Sequence, residues 1–565
     1  MKKISIKDFK GIHDRPVIGG FYNSFGMSPV NDYSGLAVKG KTTNIKVETT
    51  GNFQTPVALG HTSTNDRVYI LTDNAYLHYV VGVGGYQEVG TESGYDNNLI
   101  VDQNDYIWIA SDAKIGYLDT GRTWATDWTK DHYSFTNGTA DVRHPAALVQ
   151  QYVLWGDGNI VARIDVSGGS PGSFTASALT LPAGYVINDI VQSGTNYRIA
   201  KISANRDGVG TIFEWDCVSD EPSSIFNAHQ EIKGLTTLEN KTYAVYGDGG
   251  LYDVDSYPPQ LLFEAPDTYL FSTSQRSLKP GAIFGFKNKI LIGYTGLLYG
   301  RQVLGIWVYD ISTGFGYPLC PISSGDQYSG NIKIIKAFTY GSTSTYIYIA
   351  SEDASSKGRL DYLSSESPLT NGAFYVSPII SDVKSKLKGV KFNISSNLTQ
   401  GDSMVADIYV SYYNFSDDNI LWGYSQQDGV ASAKNKLKAD KTLTDSGDFP
   451  LPEVGDEVTV VDKTNAGYIR RVTEVDVSGD PYVYTLDEDM AGNTENSVYY
   501  RVHKFKKFSD TAKSITSGEN IFIPCPNQPE FRNLLIKIEF RGVTGSPVLS
   551  NLDIIYDPIE GEYGL

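Results

Sequence analysis

The sequence has little cysteine, no long hydrophobic run and no signal-like start. Its three cysteines, Cys217, Cys320 and Cys525, are more than a hundred residues apart. Their spacing predicts no disulfide framework and no zinc site, and we interpret them as buried thiols. No apolar run reaches the roughly 18 residues that a membrane span needs, and charges interrupt the N-terminus where a signal peptide would be apolar. These absences predict a chain made in a cytoplasm, not exported by a conventional signal and not inserted in a membrane.

Basic charge is also scarce, which bears on possible partners. The 565 residues include 47 Lys and Arg against 65 Asp and Glu, a net charge of -18, and only 20% are charged while 41% are hydrophobic. Such a composition is typical of a globular acidic protein. It argues against attraction to the phosphates of naked nucleic acid. With 56 glycines, 39 tyrosines and four methionines, the chain favours many short strands joined by tight turns, and we predict an all-β fold.

A repeat occupies the first two-thirds of the chain. Tyr106-Ile-Trp-Ile-Ala-Ser-Asp112 returns as Tyr346-Ile-Tyr-Ile-Ala-Ser-Glu352, and Tyr152-Val-Leu-Trp-Gly-Asp-Gly158 returns as Tyr243-Ala-Val-Tyr-Gly-Asp-Gly249. Each copy looks like one strand followed by a turn and a second strand that ends near an Asp. Four of the six intervals between copies are 45 or 46 residues. The first residues of the seven copies are Tyr69, Tyr106, Tyr152, Tyr197, Tyr243, Lys289 and Tyr346.

This period predicts a β-propeller of about seven blades over residues 44–374. One four-stranded blade cannot bury both of its apolar faces, so neighbouring blades must stack and the ring must close. An open β-solenoid is the competing geometry, but its rungs of about 20 to 30 residues are too short for this period. We expect the segment Asn44–Val47 to join the last blade and close the ring.

The ends of the chain have different patterns. Residues 1–43 are rich in Gly, Pro, Ser and Asn, and are interpreted as an extended docking segment. Alternating strands in 375–422 and 502–565 predict a β-sandwich of jelly-roll type. Between them, residues 423–501 contain their own short strands and are predicted to form a small inserted β-barrel.

One turn resembles a known motif. Asp119-Thr-Gly-Arg-Thr-Trp124 is similar to the Asp box of sialidase-type propellers, although Tyr117 stands at the position of its first Ser. In that family the Asp caps backbone amides and the Trp packs between strands. The resemblance therefore implies a structural hairpin turn on the second blade, made by Asp119, Gly121, Thr123 and Trp124.

An arginine segment, three acidic clusters and the histidines are the other candidate sites in the sequence. Tyr197-Arg-Ile-Ala200 resembles the arginine segment of sialidases, but Ala200 replaces its proline and it lies in the fourth blade. The carboxylate groups Asp102/Asp105, Asp253/Asp255 and Asp487-Glu-Asp489 complete no calcium loop, and we interpret them as solvated turns. The seven histidines are scattered singly, and no phosphate-binding glycine loop occurs. No catalytic residue, cofactor or metal site is predicted.

Aromatic side chains leave two functions open. The tyrosines, together with tryptophans such as Trp108, Trp155 and Trp215, could form stacking platforms for sugars or anchors for protein interfaces. In an all-β protein most of them instead fill the space between strands. We favour the packing interpretation.

The order of the parts carries a further resemblance. The chain has the lead Ile4-Ser-Ile-Lys-Asp-Phe-Lys-Gly-Ile12 and the segment Gly35-Leu-Ala-Val-Lys-Gly40, followed by a propeller and then by a sandwich that opens with Tyr375-Val-Ser-Pro-Ile-Ile380. This order of parts resembles that of the structural proteins of tailed-bacteriophage particles. The resemblance implies a non-enzymatic tail, nozzle or head-to-tail subunit, assembled in the bacterial cytoplasm and located in the virion. Its implied partners are copies of itself and other virion proteins.

Two alternatives stay open. One is a receptor-binding propeller of the same particle, whose partner would be a host surface glycan. The other is a sialidase-like glycosidase, which would need two further arginines and a Tyr/Glu nucleophile pair that the sequence does not identify.

Overall fold

The computed structural model is built almost wholly of β-strands. The residues that it describes are 2–12, 20–21, 23–25, 27–29, 36–38, 42–48, 52–81, 85–138, 143–169, 171–247, 249–263, 278–298, 301–321, 330–340, 344–353, 357–363, 373–377, 380–395, 404–411, 421–426, 436–439, 452–460, 469–479, 482–487, 498–503, 506–507, 513–515, 520–525, 528, 530–541 and 548–559.

Seven short strands lead into the ring. They are β1 (Lys2–Ile6), β2 (Gly11–Ile12), β3 (Gly20–Phe21), β4 (Asn23–Phe25), β5 (Met27–Pro29), β6 (Leu36–Val38) and β7 (Thr43–Val47).

The repeat forms seven antiparallel four-stranded sheets, which we call blades 1 to 7. Blade 1 consists of β8 (Pro56–Thr62), β9 (Arg67–Thr72), β10 (Tyr76–Val80) and β11 (Gln87–Thr91). Blade 2 consists of β12 (Asn98–Val101), β13 (Ile107–Ala110), β14 (Lys114–Leu118) and β15 (Trp128–Ser134). Blade 3 consists of β16 (Ala146–Val149), β17 (Tyr152–Asp157), β18 (Ile160–Asp165) and β19 (Phe174–Thr180). A four-residue helix, α1 (Trp124–Asp127), precedes β15.

Blades 4 to 6 follow the same order, and blade 7 borrows a strand from the start of the chain. Blade 4 consists of β20 (Val186–Gln192), β21 (Ala200–Arg206), β22 (Val209–Trp215) and β23 (Ser224–Asn227), and blade 5 of β24 (Ile232–Leu238), β25 (Lys241–Tyr246), β26 (Leu251–Asp253) and β27 (Gln260–Phe263). Blade 6 consists of β28 (Ile283–Phe286), β29 (Lys289–Leu298), β30 (Arg301–Asp310) and β31 (Phe315–Pro321). Blade 7 consists of β32 (Gly330–Tyr340), β33 (Ser344–Asp353), β34 (Gly358–Leu363) and β7.

The first strand of each blade lies at the centre of the ring. Each of these inner strands contacts the inner strand of the next blade, and β32 of blade 7 contacts β8 of blade 1. The repeated strand of the sequence is the second strand of each blade, and its apolar run is buried because both of its faces pack against neighbouring blades. The predicted seven-bladed propeller is therefore confirmed.

The ring is closed by chain segments that are distant in sequence. β7 pairs with β34 in antiparallel register, with Asn44 opposite Asp361 and Val47 opposite Arg359. The Asn44 side chain donates a hydrogen bond of 2.9 Å to the Asp361 carboxylate. The expectation that Asn44–Val47 joins the last blade is thus confirmed.

The C-terminal third contributes the remaining strands. They are β35 (Ala373–Val376), β36 (Ile380–Ser395), β37 (Met404–Ser411), β38 (Leu421–Gln426), β39 (Lys436–Ala439), β40 (Glu457–Val460), β41 (Ile469–Asp476), β42 (Tyr482–Leu486), β43 (Val498–His503), β44 (Lys506–Lys507), β45 (Lys513–Ile515), β46 (Asn520–Pro524), β47 (Glu530–Arg541) and β48 (Val548–Pro558).

The predicted sandwich is built around β47. The first half of this strand pairs with β36, and its second half pairs with β35 and β37, so it passes from one sheet to the other. β36 pairs along most of its length with β48, and buried alternate residues such as Phe392, Ile538 and Ile554 form the core between the sheets.

The N-terminal segment is part of this sandwich. β1 pairs with β48 and places Lys2 opposite Tyr556. β4 pairs with β35. β6 pairs with both β5 and β48, and so joins them. β2, β4 and β5 also contact β31 on the outer edge of blade 6. Phe9, which is fully buried, packs edge-on against Tyr375 at 5.6 Å between ring centres. The lead thus ties the sandwich to the propeller.

Six strands close into the inserted barrel, in the order β38-β39-β42-β41-β40-β43. Leu437, Val458, Val472 and Tyr484 form its separate core.

Strand pairing shifts some of the predicted boundaries by one or two residues. The propeller begins at Thr43, the sandwich strand β35 begins at Ala373, and the barrel runs from Leu421 to His503. The sequence estimates of 44, 375 and 423–501 followed changes in composition. Backbone hydrogen bonds set the actual limits.

Candidate functional site

The predicted Asp-box-like turn is a loop between β14 and β15 of blade 2. The Asp119 carboxylate accepts a hydrogen bond of 2.8 Å from the Gly121 amide, and the Thr123 amide donates to Asp127 at 2.7 Å. Trp124 opens helix α1 and stacks on Trp128, with 4.5 Å between ring centres and 10° between planes. A Cβ on Gly90 of β11 would lie 2.3 Å from the Trp124 ring. The four residues therefore form a turn whose tryptophan packs on blade 1.

The same cap recurs where the sequence showed only a repeated Asp. At the end of the third strand in four further blades, an Asp carboxylate accepts the amide hydrogen of the residue two positions later, at 2.9 to 3.0 Å. This geometry is an Asx turn. The acceptor residues are Asp165, Asp216, Asp253 and Asp310. The Asp119 turn therefore belongs to the repeat of the fold.

Two of the three acidic clusters that were interpreted as solvated turns contain buried carboxylates. The first is the pair Asp102 and Asp105. Asp102 and Asp105 are each 5% exposed. Asp102 accepts hydrogen bonds from the Trp108 indole at 3.0 Å and the Asn104 amide at 2.8 Å. Burial raises the pKa of Asp102, although the Trp108 bond opposes it. The solvated interpretation was wrong here because the sequence does not show which turns face a neighbouring blade.

Asp105 fastens blade 2 to blade 1. Its carboxylate accepts the backbone amides of Ser63 at 3.0 Å and Thr64 at 2.8 Å. Burial works to raise the pKa of Asp105, but the bonds from Thr64 and Ser63 outweigh it and hold the pKa below its ordinary value.

Asp253 forms an ion pair within blade 5, and Asp255 fastens blade 5 to blade 4. Asp253 is 1% exposed and pairs with Lys241 at 2.5 Å, which again contradicts the solvated interpretation. Asp255 pairs with Lys201 of blade 4, whose side chain is 1% exposed and also lies 3.1 Å from Glu214. In the third group, Asp487 is exposed and accepts the Arg471 amide, and residues 488 and 489 lie outside the described residues.

The sialidase-like segment does not point into the ring. Tyr197 and Arg198 are exposed in the loop before β21, and the Arg198 guanidinium lies 5.6 Å from the centre of the Tyr197 ring. The repeated strand itself begins at Ala200, three residues after the position that the sequence predicted. The arginine that resembles a carboxylate-binding one therefore lies on the exposed surface of the protein.

The tryptophans that were expected to pack do so. Trp108, Trp155 and Trp215 are fully buried and Trp307 is 3% exposed. The predicted buried thiols Cys217 and Cys525 are buried, while the side chain of Cys320 lies outside the described residues. Within the described part of the chain, no group of three His, Cys, Asp or Glu residues is placed to hold a metal ion. No described helix is long and apolar enough to cross a membrane.

An open cleft of about 370 Å³ lies where blade 4 meets blade 5. Asn188 and Asn205 line it, and both amides donate to the Ile232 carbonyl, at 2.8 and 3.0 Å. Arg206 and Glu231 complete its polar edge, and the Arg206 guanidinium lies 5.7 Å from the Tyr185 ring centre. The asparagines thus hold the two blades together, while the arginine, the acid and the aromatic ring stay near solvent.

The same two blades carry a cluster of exposed apolar side chains, which sequence reasoning did not find. Of the eleven large apolar residues that are exposed in the described part of the chain, seven belong to blades 4 and 5. Five of these lie on outer strands or on loops at one face of the ring, and we call them the rim patch: Tyr197, Val218, Ile225, Tyr257 and Leu261.

One residue of the rim patch, Tyr257, lies near the ion pair that joins blades 4 and 5. Tyr257 is 87% exposed, yet its ring lies 6.5 Å from that of Phe226 on β23. Phe226 in turn lies 5.9 Å from the ammonium of Lys201, the residue that ties blade 4 to Asp255 of blade 5. The only signal in the sequence was apolar residues in loops that otherwise carry turn residues.

Acidic groups surround this patch. Asp220 and Glu221 are exposed beside Val218. Partial burial works to raise the pKa of Asp216, but hydrogen bonds from Ser219 outweigh it and keep the pKa low. A large apolar patch with a charged border is typical of protein contact sites.

Comparisons with known proteins add no function. No family model matches the chain, and no curated protein matches it. It resembles the solved structure of U3-55K at 11% identity and a TM-score of 0.40, a match that covers 57% of this chain and 99% of that one. It resembles the RRP9 WD40 repeats at 11% identity and a TM-score of 0.40, covering 59% of this chain and 100% of that one. It resembles the WD40 β-propeller domain of Doa1 at 12% identity and a TM-score of 0.39, covering 58% of this chain and 98% of that one. We draw no inference about function from these neighbours. The chain is an all-β protein with a seven-bladed propeller.

Proposed function

We propose that this chain is a non-enzymatic structural subunit of a tailed-bacteriophage particle, of the tail, nozzle or head-to-tail region. It acts as a scaffold that binds copies of itself and other virion proteins. It is assembled in the host cytoplasm and resides in the virion. The proposal starts from the order of parts in the sequence, in which an N-terminal lead, a propeller and a sandwich with an insertion resemble such proteins.

The observation that carries the proposal is the rim patch. A closed ring buries its apolar side chains between blades, so solvent-facing ones concentrated on two adjacent blades suggest a surface that is covered by another protein. Leu261 lies on β27, which is the last strand of its sheet among the described residues, and Tyr257 lies in the loop before it. The N-terminal lead and sandwich occupy the outer edge of blade 6 instead.

The first test is composition of the particle. Mass spectrometry of purified particles from the same source should find this chain in stoichiometric amounts. Its absence from the particle removes the proposal.

The second test is self-association of the purified protein. Light scattering across a concentration series should show an oligomer that Tyr257→Ser and Leu261→Ser shift toward monomer by tenfold or more in dissociation constant. The matched control is Val454→Ser, since Val454 is 65% exposed on the barrel, and it should associate like wild type. Equal association by all three variants contradicts a role for the rim patch.

A second candidate function is favoured by the cleft between blades 4 and 5. Arg206, Glu231 and the Tyr185 ring offer the polar groups and the aromatic face that suit a sugar. We therefore keep binding of a host surface glycan as the alternative. A glycan array should then show signals that Arg206→Ala abolishes, and a blank array with the wild-type protein counts against it.

A further inference from the structure

Three charged side chains from different blades meet near the axis of the ring. Asp189 lies on inner strand β20, Lys336 lies on inner strand β32, and Arg143 lies three residues before the first residue of inner strand β16. Asp189 acts electrostatically on both cations, and Arg143 acts on Lys336, so the three charges are within range of one another.

Arg143 crosses the axis. Its Nη2 atom lies 3.7 Å from the position that a Cβ on Gly281 would occupy. Arg143 leads into blade 3, whereas Gly281 leads into blade 6, and these blades are not neighbours. A side chain that reaches from one to the other must pass through the centre of the ring. Lys336 approaches the same region, with its ammonium 5.3 Å from the ring centre of Phe284 on blade 6.

The cluster has an excess of positive charge. Asp189 is its single carboxylate, and both of its oxygens accept backbone amides, from Ile190 at 3.0 Å and Leu235 at 2.9 Å. Within the described residues, no carboxylate lies within 4.0 Å of the Arg143 or Lys336 nitrogens. Two cations therefore face one anion, each of whose oxygens already accepts one backbone amide.

One donor of Arg143 has no acceptor. Its Nη1 is fully buried and makes no hydrogen bond, a state that costs about 1 to 3 kcal/mol or more for a charged group. Burial lowers the pKa of both Arg143 and Lys336, which Asp189 only partly offsets. Both residues nevertheless keep some accessible surface.

We propose that the axis of the propeller binds a small oxyanion between Arg143 and Lys336. A guanidinium offers paired N–H donors that match a carboxylate or phosphate, and an ammonium adds a point charge. Such an anion would satisfy Nη1 of Arg143 and neutralise the excess charge at the centre of the ring. This inference is independent of the particle proposal, because it concerns the interior of the ring and not its rim.

Thermal unfolding of the full-length protein tests it. Sodium phosphate, sulfate and formate are titrated at constant ionic strength against chloride. We expect a saturable rise in melting temperature with at least one oxyanion. A response to phosphate and sulfate indicates a free tetrahedral ion, and a response to formate alone indicates a carboxylate.

Variants identify the site. Lys336→Met should weaken the anion's dissociation constant at least tenfold in titration calorimetry, while leaving stability in chloride unchanged or higher because an unpaired buried cation is removed. Arg143→Met should also abolish the response, and if it fails to fold, Lys336→Met alone decides. The control Arg198→Met removes an exposed guanidinium far from the axis and should respond like wild type. No saturable response in wild type, or the same response in Lys336→Met, overturns the proposal.

Discussion

At the scale of single residues, most buried polar groups of this chain serve to join strands. His78 of β10 is 1% exposed, and its ring stacks on Tyr86 at 5.0 Å. Its Nδ1 lies 2.7 Å from the Tyr86 hydroxyl and its Nε2 lies 3.3 Å from the Asn52 carbonyl. These partners assign a neutral imidazole, which accepts from the tyrosine and donates to the carbonyl.

His78 should make the stability of the protein depend on pH. Burial lowers the pKa of His78 from 6.5 to about 4. The unfolded chain therefore takes up a proton between these values that the folded protein does not. The free energy of unfolding contributed by His78 is complete above pH 6.5 and falls as the pH drops toward 4, by about 3 kcal/mol in all.

Urea unfolding of wild type and His78→Gln at pH 4, 5, 6 and 7 measures this contribution. The stability difference between the two proteins should shrink or reverse as the pH falls. His229→Gln, a change at an exposed histidine, should follow the wild-type curve. Parallel curves for wild type and His78→Gln would contradict the assignment.

At the scale of elements, blades 2 to 6 each carry an Asp cap after the third strand, and neighbouring blades pack closely. The buried and exposed versions of the turn differ in what else the Asp does. Asp310 is fully buried, caps the Ser312 amide at 3.0 Å and pairs with Lys289. Asp216 caps Val218 at 2.9 Å but lies nearer the surface.

Removal of these two caps should have unequal effects. Asp310→Ala leaves a half-buried lysine without its partner and should destabilise the protein by about 2 to 4 kcal/mol. Asp216→Ala loses a surface turn cap and should cost about 1 kcal/mol. Asp310→Asn keeps a side-chain oxygen that can accept the Ser312 amide hydrogen, and its loss of stability should fall between those of the two alanine variants. Denaturant unfolding gives the three values, and equal losses at Asp310 and Asp216 would exclude a special role for burial.

The contact of blade 1 with blade 2 makes a second prediction at this scale. Gly90→Ala would place its Cβ 2.3 Å from Trp124, a bulky ring already stacked on Trp128. We expect a loss of about 1 to 3 kcal/mol and a change in tryptophan fluorescence. Gly168→Ala is the control, since nothing lies within 4 Å of its Cβ. Unchanged stability of Gly90→Ala would mean that the tryptophan pair moves freely.

At the scale of the whole molecule, stability depends on the joining of distant parts of the chain. β7 supplies the outer strand of blade 7, and Ile45 packs on the core that blade 7 shares with blade 1. This strand fastens the first residues of the propeller to its last blade. Loss of the fastening should therefore loosen the entire ring.

Ile45→Asp tests the fastening. A charge on this partly buried side chain should cost about 2 kcal/mol or more. Hydrogen exchange should rise in β34, its partner strand. Thr175→Asp places the same charge on an exposed position of the outer strand β19 and should have little effect. If β34 stays protected in Ile45→Asp, closure of the ring does not depend on β7.

Local patterns predicted much of this architecture. Alternation of apolar residues and the turn after each repeated strand specify hairpins, because the paired residues are close in sequence. The number of blades, the sandwich strands, the inserted barrel and the turn at Asp119 could be predicted on that basis. The buried tryptophans followed from the same pattern, since an apolar run between two blades has no solvent face.

The sequence by itself thus determined the blades and their turns, and tertiary structure decided what lies where blades meet. Whether Asp102 and Asp253 are buried, and which apolar side chains remain exposed on the rim, depends on the neighbour that ring closure brings to each blade. Pairing of Lys2 with Tyr556 joins the two ends of the chain. Arg143, Asp189 and Lys336 meet only because the closed ring turns all its inner strands toward one axis, a geometry that no spacing along the chain encodes.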